Sequence, residues 1–387
     1  MSDHLPRIGG TLREPYQMAW GTFGLPSKDP YDLNTNSTNP DLPGRGVQME
    51  VRDWSYEEFP EYTDIPEGAD RIEVTGDEPG TFYVPDVEYA VVDGIPLHLQ
   101  ILLPLTRNNP EKKYPAIVYV QGSGWMEQDC YHNVGRIANL AERGYVVAIV
   151  QYRHSGQAGF PAQIQDARNA VRFVRKNAEK LRVIPDEIFL AGSSSGGHTA
   201  VMAAIPGAED CTDTGFSVSG TERVFFDRNV YPGVSAEVLG VLDYYGCVSL
   251  MMPDGFPTMT DRGEPGSMDT MFLSHIAAQD REGLEARASA VTYLTPELEL
   301  PPFFILHGTK DRVVNTKQSI ELYEKILSCG KQAELHLLGG ADHGGPEYWI
   351  PEVCDLADAF CRRVLQEHRR NINQKRISYA AAGSGNN

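Results

Sequence analysis

The stretch "EIFLAGSSSGGHTAVMAA", residues 187–204, sets three consecutive serines between an apolar run and an alanine-rich segment. Its first part, "EIFLAGS" (187–193), has the length and composition of a buried parallel strand. Its last part reads as the start of a helix. Between them, Gly192-Ser193-Ser194-Ser195-Gly196 fits G-x-S-x-G in one register only, with Ser194 at the centre. A tight strand-to-helix turn brings backbone segments so close that positions 192 and 196 have to be small. That turn lifts the central hydroxyl above the sheet and aims the next backbone N–H, that of Ser195, at an oxyanion. Ser194 is therefore the candidate nucleophile, and Ser193 fills the variable position before it.

The flanking sequence supplies the sheet that such a turn needs. "EYAVVDG" followed by "PLHLQILLP" predicts a hairpin turned at Asp93-Gly94. The runs "AIVYVQG" (116–122), "YVVAIVQY" (145–152), "VLGVLDYYG" (238–246), "FFILHG" (303–308) and "AELHLLGG" (333–340) predict further strands. Helical patterns lie between them. In "AQIQDARNAVRFVRKNAEKL" the residues Ile164, Ala167, Val171, Val174 and Ala178 recur on one face. "TKQSIELYEKILSCG" ends at Gly330, a C-cap, and "PEVCDLADAFCRRVLQEHRR" opens on a helix-starting proline and closes on a basic turn. A hairpin followed by alternating strands and helices predicts an α/β class domain: a mostly parallel, eight-stranded sheet with helices on both faces.

The expected organisation has three parts. Residues 1–84 form an irregular N-terminal extension, rich in Pro, Asn, Asp and Gly at first and then in acids mixed with Trp54, Tyr56, Phe59 and Tyr62. Residues 85–370 form the α/β domain, with cap or lid insertions at about 206–236 and 250–290. Residues 371–387 read as a disordered tail.

Bulk properties narrow the function classes. The chain has 387 residues, with 34 basic against 53 acidic, a net charge of −19. That excess opposes nucleic-acid binding and docking on an anionic membrane, and suits a neutral or weakly charged small molecule. The six cysteines include no C-x-x-C pair, so no disulfide framework is expected; Cys354 and Cys361, seven apart, fit a core-facing helix stripe. The first twenty residues hold no apolar segment and no run of 18 apolar residues exists, so neither a signal peptide nor a transmembrane helix is expected, and a cytoplasmic location follows. No H-E-x-x-H, EF-hand loop, Cys/His cluster or P-loop occurs, so no metal or nucleotide site is expected.

A serine hydroxyl needs a base, and the base needs an orienting acid. "FFILHGTKDRVV" places Asp311 on the loop after one strand, and "LLGGADHGGPEYW" places His343 on the loop after the next. Ser194, Asp311 and His343 thus stand at three strand ends, in the chain order that goes with this nucleophile turn. Asp342 is an alternative acid, but its adjacency to His343 hinders it from reaching the ring. "VYVQGSGWMEQD" adds a glycine loop whose Gly122, Ser123 and Gly124 are candidate oxyanion donors beside the Ser195 N–H. Trp125 and Met126, just beyond, are candidate lining residues of the acyl or leaving-group pocket. His198 reads as a supporting residue on the nucleophile helix, and Arg153 with Asp166 as a structural ion pair.

The segments "QGSGW" (121–125), "YRHSGQAGFPAQIQDARNAVRFVRKNA" (152–178), "GSSSGGH" (192–198), "HGTKDRVV" (307–314) and "GADHG" (340–344) resemble the α/β-hydrolase superfamily. Within it, residues 85–370 are similar to the carboxylesterase and feruloyl- or acetyl-esterase group related to prolyl-oligopeptidase catalytic domains. The resemblance implies an α/β-hydrolase fold and no cofactor, with Ser194 as nucleophile, His343 as base and Asp311 as its orienting acid. One departure stands out. The oxyanion loop of this group usually reads H-G-G-G-W, whereas here Gln121 replaces the bracing histidine. The expected activity is hydrolysis of a small carboxylic ester through an acyl-enzyme. A peptidase or amidase on the same triad, or a non-catalytic binding or scaffold protein, remain alternatives, and homo-oligomerisation through the N-terminal extension stays open.

Overall fold

The computed structural model describes residues 58–78, 80–106, 108–109, 112–208, 229–251, 259, 266–273 and 281–383, and of 281–282 and 375–383 the backbone alone. Two compact units divide the chain: residues 1–78 with 106–110, and residues 79–105 with 111–387. In the described part of the first unit, residues 58–78 run without regular helix or strand, and Arg71 pairs with Glu61 and Glu73. The expected extension lies mostly outside the described residues.

The second unit begins with β1 (Gly80–Val92) and β2 (Ile95–Leu105), an antiparallel hairpin. Its two-residue turn is Asp93-Gly94, with φ of 53° and 80°. Positive φ at both positions gives the twist that matches the flanking strands, and Asp-Gly tolerates it best. There follow β3 (Tyr114–Val120), α1 (Val134–Glu142), β4 (Val146–Val150), α2 (Ala162–Lys176), β5 (Val183–Ser193) and α3 (Ser195–Ala204). Then come β6 (Val241–Tyr244), α4 (Met268–Leu273), α5 (Arg281–Arg287), β7 (Phe303–Gly308), α6 (Lys317–Ser328), β8 (Ala333–Leu338) and α7 (Pro351–Gly383).

These eight strands form one sheet in the order β1-β2-β4-β3-β5-β6-β7-β8. β2 runs antiparallel to β1 and β4; every other neighbouring pair is parallel. The central strands β4, β6 and β7 are buried along their whole length, as continuous apolar runs covered on both faces must be. One covering layer is α1 and α7, whose Ile137, Leu140, Val353, Phe360 and Cys361 pack on Ile117, Ile149, Phe189 and Phe304. The other includes α2, which buries Ile164, Ala167, Val171 and Val174 and packs against α3. Each aliphatic side chain so buried contributes about 1.5–3 kcal/mol of transfer free energy, before chain entropy is subtracted. Cys354 and Cys361 are buried free thiols in that core.

Three differences from the expected elements have physical causes. β6 is shorter than 238–246 because Tyr245, at φ 45°, turns the chain out of the sheet. α1 was not expected; its Ile137, Leu140 and Ala141 make too short an apolar stripe to stand out among Gly135, Arg136 and Asn139. α7 continues to Gly383 where a disordered tail from 371 was expected, since Gln374 to Ala382 holds good helix formers and no breaker. The insertions expected at 206–236 and 250–290 lie partly outside the described residues; α4 and α5 belong to the second.

Candidate active site

The carboxyl ends of β3, β5, β7 and β8 place the candidate site, on the edge of the parallel sheet where open α/β folds hold their ligands. Ser194 sits between the last residue of β5 and the first of α3, at φ 55° and ψ −127°. A non-glycine residue there is strained, and the surroundings hold it. The Ser194 N–H donates to the Tyr244 carbonyl at 2.9 Å, and the Ser194 carbonyl accepts the His198 N–H at 3.1 Å. The turn is as tight as its glycines demand. A Cβ on Gly192 would collide with the Gly196 carbonyl, and one on Gly196 with the Val120 carbonyl.

The loop after β8 brings His343 to this hydroxyl. His343 Nε2 lies 2.8 Å from Ser194 Oγ, and its Nδ1 lies 2.7 Å from Asp311 Oδ2, on the loop after β7. Asp311 Oδ1 accepts the N–H groups of Val313 and Val314, both at 2.8 Å. Oδ2 also faces His307 Nε2 at 3.1 Å. Burial alone would push the Asp311 carboxyl up, but the hydrogen bonds from His307 and His343 outweigh it and hold the group well below the usual carboxylate range. Since the Asp311 carboxylate accepts at both oxygens, the ring presents N–H at Nδ1 and a lone pair at Nε2 toward Ser194. The Asp311 side chain is 0 % exposed and that of His343 16 %, so the imidazole alone of the pair reaches solvent. The His343 ring stands edge-on to Tyr245, with centroids 4.9 Å apart.

The four candidate oxyanion donors are not equivalent. Gly122 N–H donates to Ser193 Oγ at 3.3 Å and Ser123 N–H to Ser195 Oγ at 2.9 Å. Both are already satisfied by hydroxyls of the serine cluster. Gly124 N–H and Ser195 N–H have no acceptor among the described residues, and the latter is the first N–H of α3, which has no intrahelical partner. The brace of this loop is polar: Gln121 Nε2 donates to the Asp129 carbonyl, while Gln128 Nε2 donates to the carbonyls of Gln121 (2.7 Å) and Val150 (3.1 Å). The Tyr152 and Ser123 hydroxyls meet at 2.8 Å.

Around Ser194 opens a cleft of about 610 Å³. Trp125 is among the residues that line it, and its ring holds neighbours in place. It stacks on Phe272 of α4 at 4.3 Å and 12°, and its Nε1 donates to His198 Nδ1 at 3.3 Å. Met126 is a correction: it is absent from the cleft lining, its N–H donates to the Ser123 carbonyl and its carbonyl accepts the Ser123 hydroxyl. Residues without a motif complete the wall, among them Asn133, Tyr245, Cys247, Met268, Val313 and Val314. Asp269 is the single carboxylate and no Lys or Arg lines the cleft among the described residues. His198 is fully buried, pushed down to about 4 by burial, and lies 2.7 Å from the Ala288 carbonyl through Nε2; it supports α3 and the segment above it. Arg153 and Asp166 form the expected buried pair, with N–O distances of 2.9–3.1 Å, away from the cleft lining.

Among the described residues no group of three His, Cys, Asp or Glu side chains could hold a metal ion, and no helix is long and apolar enough to cross a membrane.

Comparison with known proteins places this site in context. The family model described as BD-FAE matches residues 99–326. "Esterase LipQ" of Mycobacterium tuberculosis is 28% identical over 229 residues, covering 57% of this chain and 48% of that protein. The "probable isoprenylcysteine alpha-carbonyl methylesterase ICMEL1" of Arabidopsis thaliana is 26% identical over 271 residues, covering 68% and 52%. The chain thus spans about half the length of these relatives. Among solved structures, a truncated carbohydrate esterase from gut microbiota superposes with a TM-score of 0.61 at 23% identity, covering 75% of this chain and 98% of that one. A bifunctional GH43-CE protein of Bacteroides eggerthii gives 0.58 at 25% identity, covering 75% and 38%.

Proposed function

The chain belongs to the BD-FAE family and carries an α/β-hydrolase fold, and from that premise we propose that it is a serine esterase cleaving small, neutral carboxylic esters through an acyl-enzyme. One observation carries this reading: the unbroken hydrogen-bonded line Ser194–His343–Asp311, with spacings of 2.8 and 2.7 Å.

In this mechanism Ser194 Oγ attacks the ester carbonyl while His343 Nε2 takes its proton. The same nitrogen returns that proton to the leaving alcohol, and water repeats the cycle on the acyl-enzyme. Asp311 holds the ring in the tautomer that accepts at Nε2 and offsets the imidazolium charge. The N–H groups of Gly124 and Ser195 receive the oxyanion, with the N-terminal dipole of α3 behind them. Each such donor contributes about 3 kcal/mol to transition-state stabilisation in comparable sites. A cleft without Lys or Arg among its described lining favours a neutral substrate over an anionic one.

The test is a panel of p-nitrophenyl esters, from acetyl to aryl acyl groups, beside a p-nitroanilide. Ester turnover that exceeds anilide turnover and is lost in Ser194→Ala supports the reading. Anilide cleavage faster than ester cleavage makes the protein an amidase, and turnover unchanged in Ser194→Ala overturns the site.

A further inference from the structure

We propose that His307, locked in place by Ser319, is the positioning residue that aims the Asp311 carboxylate and tempers its pull on His343. The proposal rests on the active-site reading above and extends it one residue beyond the three-residue line.

His307 is the penultimate residue of β7, and its side chain turns inward with 0 % exposure. Its Nε2 lies 3.1 Å from Asp311 Oδ2 and 3.0 Å from the Val314 carbonyl. Both neighbours are acceptors only, so Nε2 carries a hydrogen. Nδ1 lies 2.7 Å from the Ser319 hydroxyl on α6, itself fully buried. A neutral ring accepts the Ser319 proton at Nδ1 and shares its Nε2 proton between Asp311 and Val314. The imidazole is thereby clamped between β7 and α6, and its one N–H is committed to the loop that carries the triad acid.

The consequence falls on Asp311 Oδ2, the oxygen that also accepts from His343 Nδ1 at 2.7 Å. Two imidazoles share one oxygen. A hydrogen bond from His307 draws electron density off Oδ2, so less negative potential reaches the His343 ring. Without that bond the carboxylate stabilises the imidazolium more strongly, and the base releases its proton at higher pH. It also loses one of the four donors that fix its angle. The other ionisable groups facing this network are Asp243 of β6, whose field reaches His307, and Tyr245 and Tyr348, which face Asp311. Arg312 pairs with Asp342 on the exposed side of the same loops. Of these, Asp243 is the group that His307 itself influences, and both replacements below remove that influence alike, so the difference between them reads the contact with Asp311.

Two isosteric replacements separate positioning from packing. In His307→Gln the amide nitrogen falls where Nε2 stood; in His307→Asn it falls where Nδ1 stood and cannot reach Asp311. The measurement is the pH profile of kcat and KM on p-nitrophenyl acetate, with Ser194→Ala as the blank. His307→Asn is expected to lose about tenfold in kcat, about 1.4 kcal/mol, with KM nearly unchanged and the acidic limb moved to higher pH. His307→Gln is expected to keep the wild-type limb and most of kcat. Equal profiles for the two variants, or an acidic limb that stays in place in His307→Asn, overturn the proposal. Ser319→Ala, the mildest change, decides the matter if His307→Asn does not fold: the limb moves in the same direction by less, and a fixed limb overturns the proposal. Wild-type turnover in Ser194→Ala would instead overturn the underlying site, whatever His307 does.

Discussion

The carboxylate of Asp342 accepts the backbone N–H of its neighbour His343 at 2.8 Å and turns outward to Arg312, so the acid nearest in sequence does not orient the ring. That task geometrically falls to Asp311, 32 residues earlier, at 2.7 Å from Nδ1. Arg312 and the two backbone N–H groups hold the Asp342 carboxyl down to about 2, a pairing independent of the ring. Asp311→Asn should therefore lower kcat by roughly 10³–10⁴-fold, the scale seen when a triad acid is neutralised. Asp342→Asn should leave kcat within a few-fold of wild type. Steady-state kinetics on one ester, run side by side, reads both.

Asp243 gives stability a pH dependence of defined sign. Burial raises its carboxyl from 3.8 to about 7, against the lowering effects of His307 and the Gly246 N–H. Between those values the folded chain keeps a proton that the unfolded chain has released. The contribution of Asp243 to stability is therefore fully present below pH 3.8 and is lost as pH rises through about 7. Asp243→Asn removes this decline. Relative to wild type the variant should gain stability between pH 4 and pH 8, by on the order of 3–4 kcal/mol. Urea unfolding at both pH values measures it, and a gap that does not widen with pH contradicts the account.

Gly196 supports the turn at Ser194 by its missing side chain. A Cβ there would meet the Val120 carbonyl, a backbone atom with no freedom to move aside. Gly196→Ala should cost about 1–3 kcal/mol or more of stability and displace α3 from β3. Thermal unfolding reads the loss. An alanine variant with wild-type melting temperature and turnover would mean that the turn is looser than drawn.

Phe272 ties α4 to the loop that follows β3. Its ring stacks on Trp125, meets Phe160 edge-on at 5.5 Å, and its carbonyl accepts the Phe160 N–H at 2.9 Å. Phe272→Ala removes a buried aromatic from that contact and should destabilise the protein by about 3–5 kcal/mol. The cleft wall carrying Met268 belongs to the same helix, so KM for esters should rise more than kcat falls. Denaturant unfolding and ester kinetics together check this.

Local signals made much of this arrangement legible in the sequence. Asp93-Gly94 announces its turn because few other pairs tolerate two positive φ values, and the parallel strands announce themselves as unbroken apolar runs. Ser194 is singled out because only one register puts glycine on both sides. What stayed hidden depends on contacts between distant segments. Gly122 and Ser123 look as good as Gly124 for receiving an oxyanion until the hydroxyls of Ser193 and Ser195, some 70 residues away, are seen to occupy their N–H groups. Met126 follows Trp125 in the chain, yet Trp125 has φ 58°, and Met126 does not reach the cleft lining. His307 reads as one more residue of a buried strand; its link to Asp311 appears only once α6 and the β7 loop are folded over it. α1 is too short for its periodicity to register, and the cleft wall from 266–269 lies in a region with no strand or helix rhythm.

The most direct measurement is labelling with a fluorophosphonate followed by mass mapping of the peptide that spans residues 187–204. The account predicts a single adduct on Ser194, absent in Ser194→Ala together with ester turnover, and retained in Ser193→Ala and Ser195→Ala. An adduct on Ser193 or Ser195, or ester turnover that survives in Ser194→Ala, would contradict it.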